Sequence, residues 1–224
     1  MRVTLISYPS MNPDALAGMA AALCYNGKNP ERSLDRALSG GHQSVVEHAG
    51  FTFLVEGVSR ALLAQLTRHR IASYSVQSQR YVSMADGFDY VTPPRIIELG
   101  ASAVREYEDE MRTMHEWYCA WQKKLLDAGH TNEHANEDAR FVLPNAAATR
   151  LLVTMNAREL NNFFGLRLCS CAQWEIREMA GMMLDEVKIV APKIFEKAAP
   201  PCAHGQCPEG KRSCGKPWRI KKDD

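Results

Sequence analysis

The stretch from Val104 to Leu125 constrains the fold most. Val104, Tyr107, Met111, Met114, Tyr118, Trp121 and Leu125 follow one another at alternating spacings of three and four, which lines them up along one stripe of an α-helix. Gly129 gives that helix its stop. The stripe must be covered, so its Met and aromatic residues are expected to form a core or subunit-contact seam, and His115 within it to be structural.

Shorter signals surround it. Val3, Leu5 and Ser7 alternate as a strand ending at Pro9, and Asn12-Pro13-Asp14 then supplies a cap and first turn for a helix to about Tyr25. Pro30 to about Leu38 reads as a second helix, closed by Gly40-Gly41. Phe51, Phe53 and Val55 alternate as a strand, and Val58, Leu62 and Leu66 then recur at helical spacing. This helix is expected to carry Arg68-His69-Arg70 at its C-terminal end, followed by a polar loop. Asn132 to Val142 reads as a helix stopped by Leu143-Pro144, and Arg150 to Met155 as a strand. Ala157 to Leu168 and Ala172 to about Lys197 read as helices, the second bent at Pro192. Helices outnumber strands, and the two do not alternate as a doubly wound sheet requires. The expected class is α+β: a small, mostly antiparallel sheet packed with several long helices in a single domain over residues 1–198.

The 27 Lys and Arg nearly cancel the 26 Asp and Glu, so no global field draws a polyanion and any anion site must be local. No apolar run approaches the roughly 20 residues of a bilayer span, and the N-terminus lacks the apolar segment of a secretory signal. Seven cysteines, an odd number in a chain of 224 residues, suit a reducing cytoplasm better than a disulfide framework. From about Ala199 to Asp224 the composition turns to Gly, Pro, Lys and Cys. Cys202, His204, Cys207 and Cys214 have the right chemistry for zinc but lack a paired C-x2-C, so no metal is assigned. The tail is expected to be mobile or folded onto a partner subunit.

Two arginine-rich constellations carry the chemistry. In RHRIASYSVQSQRY, Gln65, Arg68 and His69 are expected on one helical turn, and Ser78, Gln79 and Arg80 in the segment beyond. Guanidinium groups match phosphate oxygens bidentately, and the hydroxyls and amides suit a polar ring. In NARELNNFFGLR, Asn156, Arg158, Asn162 and Arg167 lie within twelve residues, preceded by Arg140 and Arg150. GHQSVVEH adds His42, Ser44, Glu47 and His48, a weak pattern for a metal. P-loop, GxGxxG and nucleophile-elbow motifs are missing. A nucleic-acid groove would need many more basic residues interleaved with aromatics than a neutral chain provides.

Arg68-His69-Arg70, seven residues and then Ser78, followed by Gln79-Arg80-Tyr81, resembles the signature of the flavin-dependent thymidylate synthases. GHQSVVEHAGFTF, ARFVLP, NAREL-NNFFGLR and AQWEIR resemble further blocks of that family in the same order, over roughly residues 1–198. The resemblance implies synthesis of dTMP by reductive methylation of dUMP, with 5,10-methylenetetrahydrofolate as one-carbon donor and FAD, reduced by NADPH, as hydride source. It also implies a homotetramer with shared active sites.

By the same resemblance His42, Ser44, Arg68, His69, Arg70, Asn156, Arg158 and Asn162 are FAD-binding positions. Gln65, Arg68, Ser78, Gln79, Arg80, Arg140 and Arg167 hold the nucleotide. Arg167 is expected to activate the uracil ring with its fixed charge, and Ser78 to orient the nucleotide. Many members have Asn-Glu where this chain has Ser75-Val76, which bears on how the loop is anchored. The alternative function is a non-catalytic nucleotide- or RNA-binding module using the same arginines.

Overall fold

The structure is a computed structural model that describes residues 1–218. The last part of the cysteine-rich tail, from Arg219 on, lies outside the described residues. The elements in chain order are β1 (Arg2–Ser7), α1 (Pro13–Tyr25), α2 (Pro30–Ser39), β2 (Gly50–Ser59), α3 (Arg60–Leu66) and β3 (Ala72–Val76). They continue with α4 (Pro94–Glu98), α5 (Ala101–Asp127), α6 (Asn132–Ala139), β4 (Ala148–Asn156), α7 (Ala157–Arg167) and α8 (Trp174–Val190). The strands form one antiparallel sheet in the order β1-β2-β4-β3, so the class is α+β as expected.

The chain divides into two compact units. The first comprises Arg2–Val55, Gln65–Tyr74 and everything from Leu152 onward; the second comprises Met1, Glu56–Ala64 and Ser75–Leu151.

In the first unit, alternation along the strands builds the core. Phe51, Phe53 and Val55 of β2 and Val153 and Met155 of β4 are all buried, each contributing about 1.5–3 kcal/mol relative to exposure. Register is marked by Thr52 Oγ1, 2.9 Å from Thr154 Oγ1. Phe195 closes over these strands, its ring edge-on to Phe51 and to Phe164 of α7. Helix α1 starts where Asn12 Oδ1 accepts from Ala15 N at 3.0 Å with Pro13 in the first turn. Gly18 lets α2 approach: a Cβ there would stand 2.8 Å from Pro30 O.

Three expectations are corrected in this unit. The helix from Ala172 is broken by Pro192 rather than bent. α8 ends at Val190, Ala191 is forced out of helical geometry (φ −141°, ψ 58°), and Asp14 caps the next turn by accepting from Lys193 N and Ile194 N, each at 3.0 Å. Helix α3 stops at Leu66, before Arg68 and His69. The Leu66 and His69 carbonyls accept the Tyr74 hydroxyl, at 2.9 and 2.8 Å, so the chain turns there. The segment beyond is no loop at first but edge strand β3, in which Ala72, Tyr74 and Val76 are half-buried and Ser73 and Ser75 exposed. Ser75-Val76 is therefore anchored as strand.

In the second unit the long helix is present as read, with Met111 and Tyr118 buried on its stripe. Trp121, expected on the seam, is 51% exposed and neighbours exposed Trp117. His115 is structural: its Nε2 lies 2.9 Å from Met84 O and 3.1 Å from Ala85 O. Short helix α4, unforeseen in the sequence, begins where Pro93-Pro94 pre-sets φ for a first turn.

Candidate functional site

The turn after α3 brings His69 into the first unit's interior, 6% exposed, where its ring stands edge-on to Phe163 of α7. Helix α7 is capped by Asn156, whose Oδ1 accepts from Glu159 N at 2.9 Å. That cap sets the helix phase so that Glu159 points inward and Arg167, two turns on, ends the helix beside His69. Glu159 Oε1 lies 3.1 Å from His69 Nδ1, and Arg167 Nε donates to His69 Nε2 at 3.0 Å.

The tautomer follows from this geometry. Arg167 Nε is a donor only, so His69 Nε2 carries the lone pair and Nδ1 carries the proton, which it donates to Glu159. Asn162 Nδ2 donates to both Glu159 oxygens, at 3.3 and 3.2 Å. The His69 pKa is lowered, by burial first; Glu159 opposes the shift and Arg167 adds to it. The ring is thus neutral near pH 7. Arg167 also donates to Gln65 O at 3.4 Å, and burial together with Arg68 lowers its own pKa. It stays charged.

An open cleft of about 1120 Å³ lies in the same unit, lined among others by Gln43, Glu47, Ile71, Asn156, Arg158 and Asn162. Arg158 Nη1 pairs with Glu47 Oε1. Of the positions expected at FAD, Asn156, Arg158 and Asn162 line this cleft. Arg68 and Arg70 are exposed on the turn leading to Ile71, and His42 and Ser44 are exposed at the start of a 3-10 turn over Gln43–His48.

The remaining nucleotide positions, Ser78, Gln79, Arg80 and Arg140, are half-buried in the second unit. Ser78 Oγ accepts from Arg80 N at 3.1 Å, which pins the turn. Arg80 Nε lies 2.9 Å from Glu137 Oε2. Asn136 Nδ2 donates to Arg80 O at 3.0 Å, while Asn136 Oδ1 accepts from Gln122 and Tyr118 of α5, at 2.6 and 3.1 Å. Arg140 Nε donates to Glu137 O at 3.1 Å. Arg60 donates to Gln77 O at 2.8 Å, and burial together with Arg140 lowers its pKa.

Sequence reasoning missed Glu159, Glu137 and Asn136. Glu159 carried a usable signal, since an acidic residue three positions after an Asn cap, inside an apolar helix face, must find a buried donor. The tail's His204 is occupied otherwise than as a ligand: its Nε2 lies 2.8 Å from Lys197 O. The described part of the tail is folded onto its own chain, since Pro200, Cys202, Cys207, Cys214 and Trp218 line a small cavity together with Cys169 to Cys171.

This α+β scaffold presents two sets of arginines, one aimed by a buried polar chain and the other by a partly exposed carboxylate, a chemistry suited to anionic ligands. A profile of the family described as thymidylate synthase complementing protein matches residues 4–193. A flavin-dependent thymidylate synthase from Geobacter sulfurreducens is 47% identical over 239 residues, covering 99% of this chain and 97% of that protein. One from Clostridium tetani is 43% identical over 244 residues, covering 99% and 96%. One from Nitratidesulfovibrio vulgaris is 50% identical over 181 residues, covering 80% and 73%. The chain belongs to the flavin-dependent thymidylate synthase family.

Proposed function

We propose that the chain makes dTMP by reductive methylation of dUMP, taking the one-carbon unit from 5,10-methylenetetrahydrofolate, with FAD reduced by NADPH as hydride source. The observation that carries this is the buried chain Glu159–His69–Arg167, which aims a charged guanidinium and holds it with a neutral ring. Beside a uracil ring such a charge stabilises the negative character that develops at N3 and the carbonyl oxygens as the ring is attacked. Arg167 is the catalytic residue in this proposal. His69 acts through it, as a positioning residue with both ring nitrogens engaged.

FAD fits the first unit. The cleft is of the size that takes large cofactors. It offers the Arg158 guanidinium and the Asn162 amide, and exposed Arg68 and Arg70 stand on the turn that leads to it. His42, Ser44, Arg68, Arg70, Asn156, Arg158 and Asn162 would hold the cofactor, whose chemistry when bound is hydride transfer. Glu47 holds Arg158 in a fixed direction until a phosphate competes for it. Gln65, Arg68, Ser78, Gln79, Arg80, Arg140 and Arg167 are assigned to dUMP. Ser78, whose oxygen accepts from Arg80 N, is assigned to orienting the nucleotide rather than to attack on it. The rival function, a non-catalytic nucleotide- or RNA-binding module, gains no support from relatives that are named as synthases.

Self-association as a homotetramer accompanies this function in the proposal; exposed Trp117 and Trp121, one turn apart on α5, are the residues that favour it. Among the described residues no helix is long and apolar enough to cross a membrane, which accords with a cytoplasmic enzyme. The test is direct. Purified protein should be yellow, bleach with NADPH, and release tritium from C5-labelled dUMP when the folate is added. A colourless protein that takes up no FAD and releases no tritium overturns the proposal.

A further inference from the structure

Five of the seven cysteines gather at one place that the proposed reaction does not use. Cys169 and Cys171 lie in the corner between α7 and α8, and Cys202, Cys207 and Cys214 in the tail, all lining one cavity of about 60 Å³. The corner is tightly made: Ala172 N donates to Cys169 O at 2.8 Å, and Arg177 Nη1 donates to Ser170 O at 2.9 Å. Backbone N–H groups already point at two of the tail sulfurs, from Lys216 to Cys214 and from Trp218 to Cys202, each at 3.4 Å. N–H···S contacts of this kind stabilise a thiolate better than a thiol.

A cavity of that size has room for about two waters and for no organic ligand. Among the described residues the tail around it has no helix beyond single 3-10 turns, and few apolar side chains. Seven cysteines stand unbridged among the described residues. Among those residues no three candidate donors already stand at the separations of a loaded metal centre, so the thiols are collected but not drawn in. A small, loop-rich segment whose three cysteines line one cavity with those of a neighbouring corner is what a structural tetrathiolate ion closes.

We propose that Cys169, Cys202, Cys207 and Cys214 bind one zinc ion as a structural site that fastens the tail to the corner after α7. Cys169 is chosen over Cys171 because it is half-buried where Cys171 is exposed; Cys214, also exposed, is the tail thiol that the ion would draw in and enclose. Four thiols lose four protons as the ion enters, and no electrons move. Lys216, which lines the cavity, offsets part of the resulting negative charge. Cys169 lies two residues beyond Arg167, so the ion would also hold the end of the helix that presents the catalytic guanidinium.

The test uses the full-length protein, purified without chelator. Elemental analysis should give one zinc per chain. Mercurial titration should release it to a chromophoric chelator as four thiols react, a measurement that needs no variant. Replacing zinc with cobalt should give the absorption of a tetrahedral thiolate site. C169S, C202S, C207S and C214S should each bring zinc below about a tenth of an equivalent, whereas C171S should keep it. Absence of metal with all seven thiols freely alkylated overturns the site, as does a disulfide among the five found by mass spectrometry. Iron with acid-labile sulfide overturns the choice of ion. Loss of zinc in C171S with retention in C169S overturns the ligand assignment. None of these results depends on flavin or turnover, so the site and the proposed reaction fail separately.

Discussion

Arg167, in the first unit, is held by the neutral ring of His69 and a backbone carbonyl, whereas Arg80, in the second, is held by the carboxylate of Glu137. Both side chains are fixed, but the electrostatic result is opposite. A neutral acceptor orients a guanidinium and leaves its charge for a ligand. A carboxylate orients it and cancels much of that charge until a stronger anion competes. The first arrangement suits a residue that must polarise an uncharged ring, and the second one that exchanges its partner for a phosphate.

The sharpest break in this comparison comes from Arg167→Ala. Removing a preorganised charge from a reacting centre costs about 10²–10³-fold in turnover, and the flavin absorbance of the purified protein should be unchanged. Equal loss of flavin and turnover would place Arg167 with the cofactor instead.

Next in size is Glu159→Ala, which leaves the buried His69 N–H without its acceptor. A buried unsatisfied donor costs about 1–3 kcal/mol, read as a shift in the urea midpoint. Glu159 opposes the lowering of the His69 pKa, so its loss should move the acid limb of kcat/KM to still lower pH. A purely structural role for Glu159 would leave that limb where it is.

On the other side, Arg80→Ala should raise KM for dUMP about tenfold or more, the worth of one charged hydrogen bond, with a smaller effect on kcat. Glu137→Gln should change KM only a few-fold, because an ion pair that stays partly open to solvent contributes about 0–1 kcal/mol. If Glu137→Gln costs as much as Arg80→Ala, the carboxylate does more than hold the arginine.

Much of this was legible in the sequence, in proportion to how local each determinant is. Caps such as Asn12-Pro13 and the spacing of Met111 and Tyr118 act within one helix, so α1 and α5 appear where they were read. The end of α3 is set by a hydroxyl on Tyr74, eight residues beyond Leu66, which propensity cannot anticipate; the alternation of Ala72, Tyr74 and Val76 is a usable sign of β3, which the reading of the segment as a polar loop passes over. His69 and Glu159 are 90 residues apart, and nothing in either segment names the other. The family signature marks Arg167 and His69 as residues of interest. Only the fold shows that one is held by the other.

The smallest expected effect is the pH dependence of stability, and it separates the two arginines most cleanly. The folded-state pKa of His69 lies below its ordinary value near 6.5. As pH falls through that value the unfolded chain binds a proton that the folded chain refuses, so ν_U exceeds ν_N and stability drops. The drop ends only once pH passes below the folded pKa. Urea midpoints measured from pH 7.5 downwards should therefore decline below about pH 6.5, and His69→Gln should flatten that part of the curve while lowering its plateau. Glu137→Gln, which leaves His69 and the groups around it untouched, should leave the decline in place. A decline that survives His69→Gln would mean that another histidine sets it, and that the neutral ring beside Arg167 is not the element that acid disturbs first.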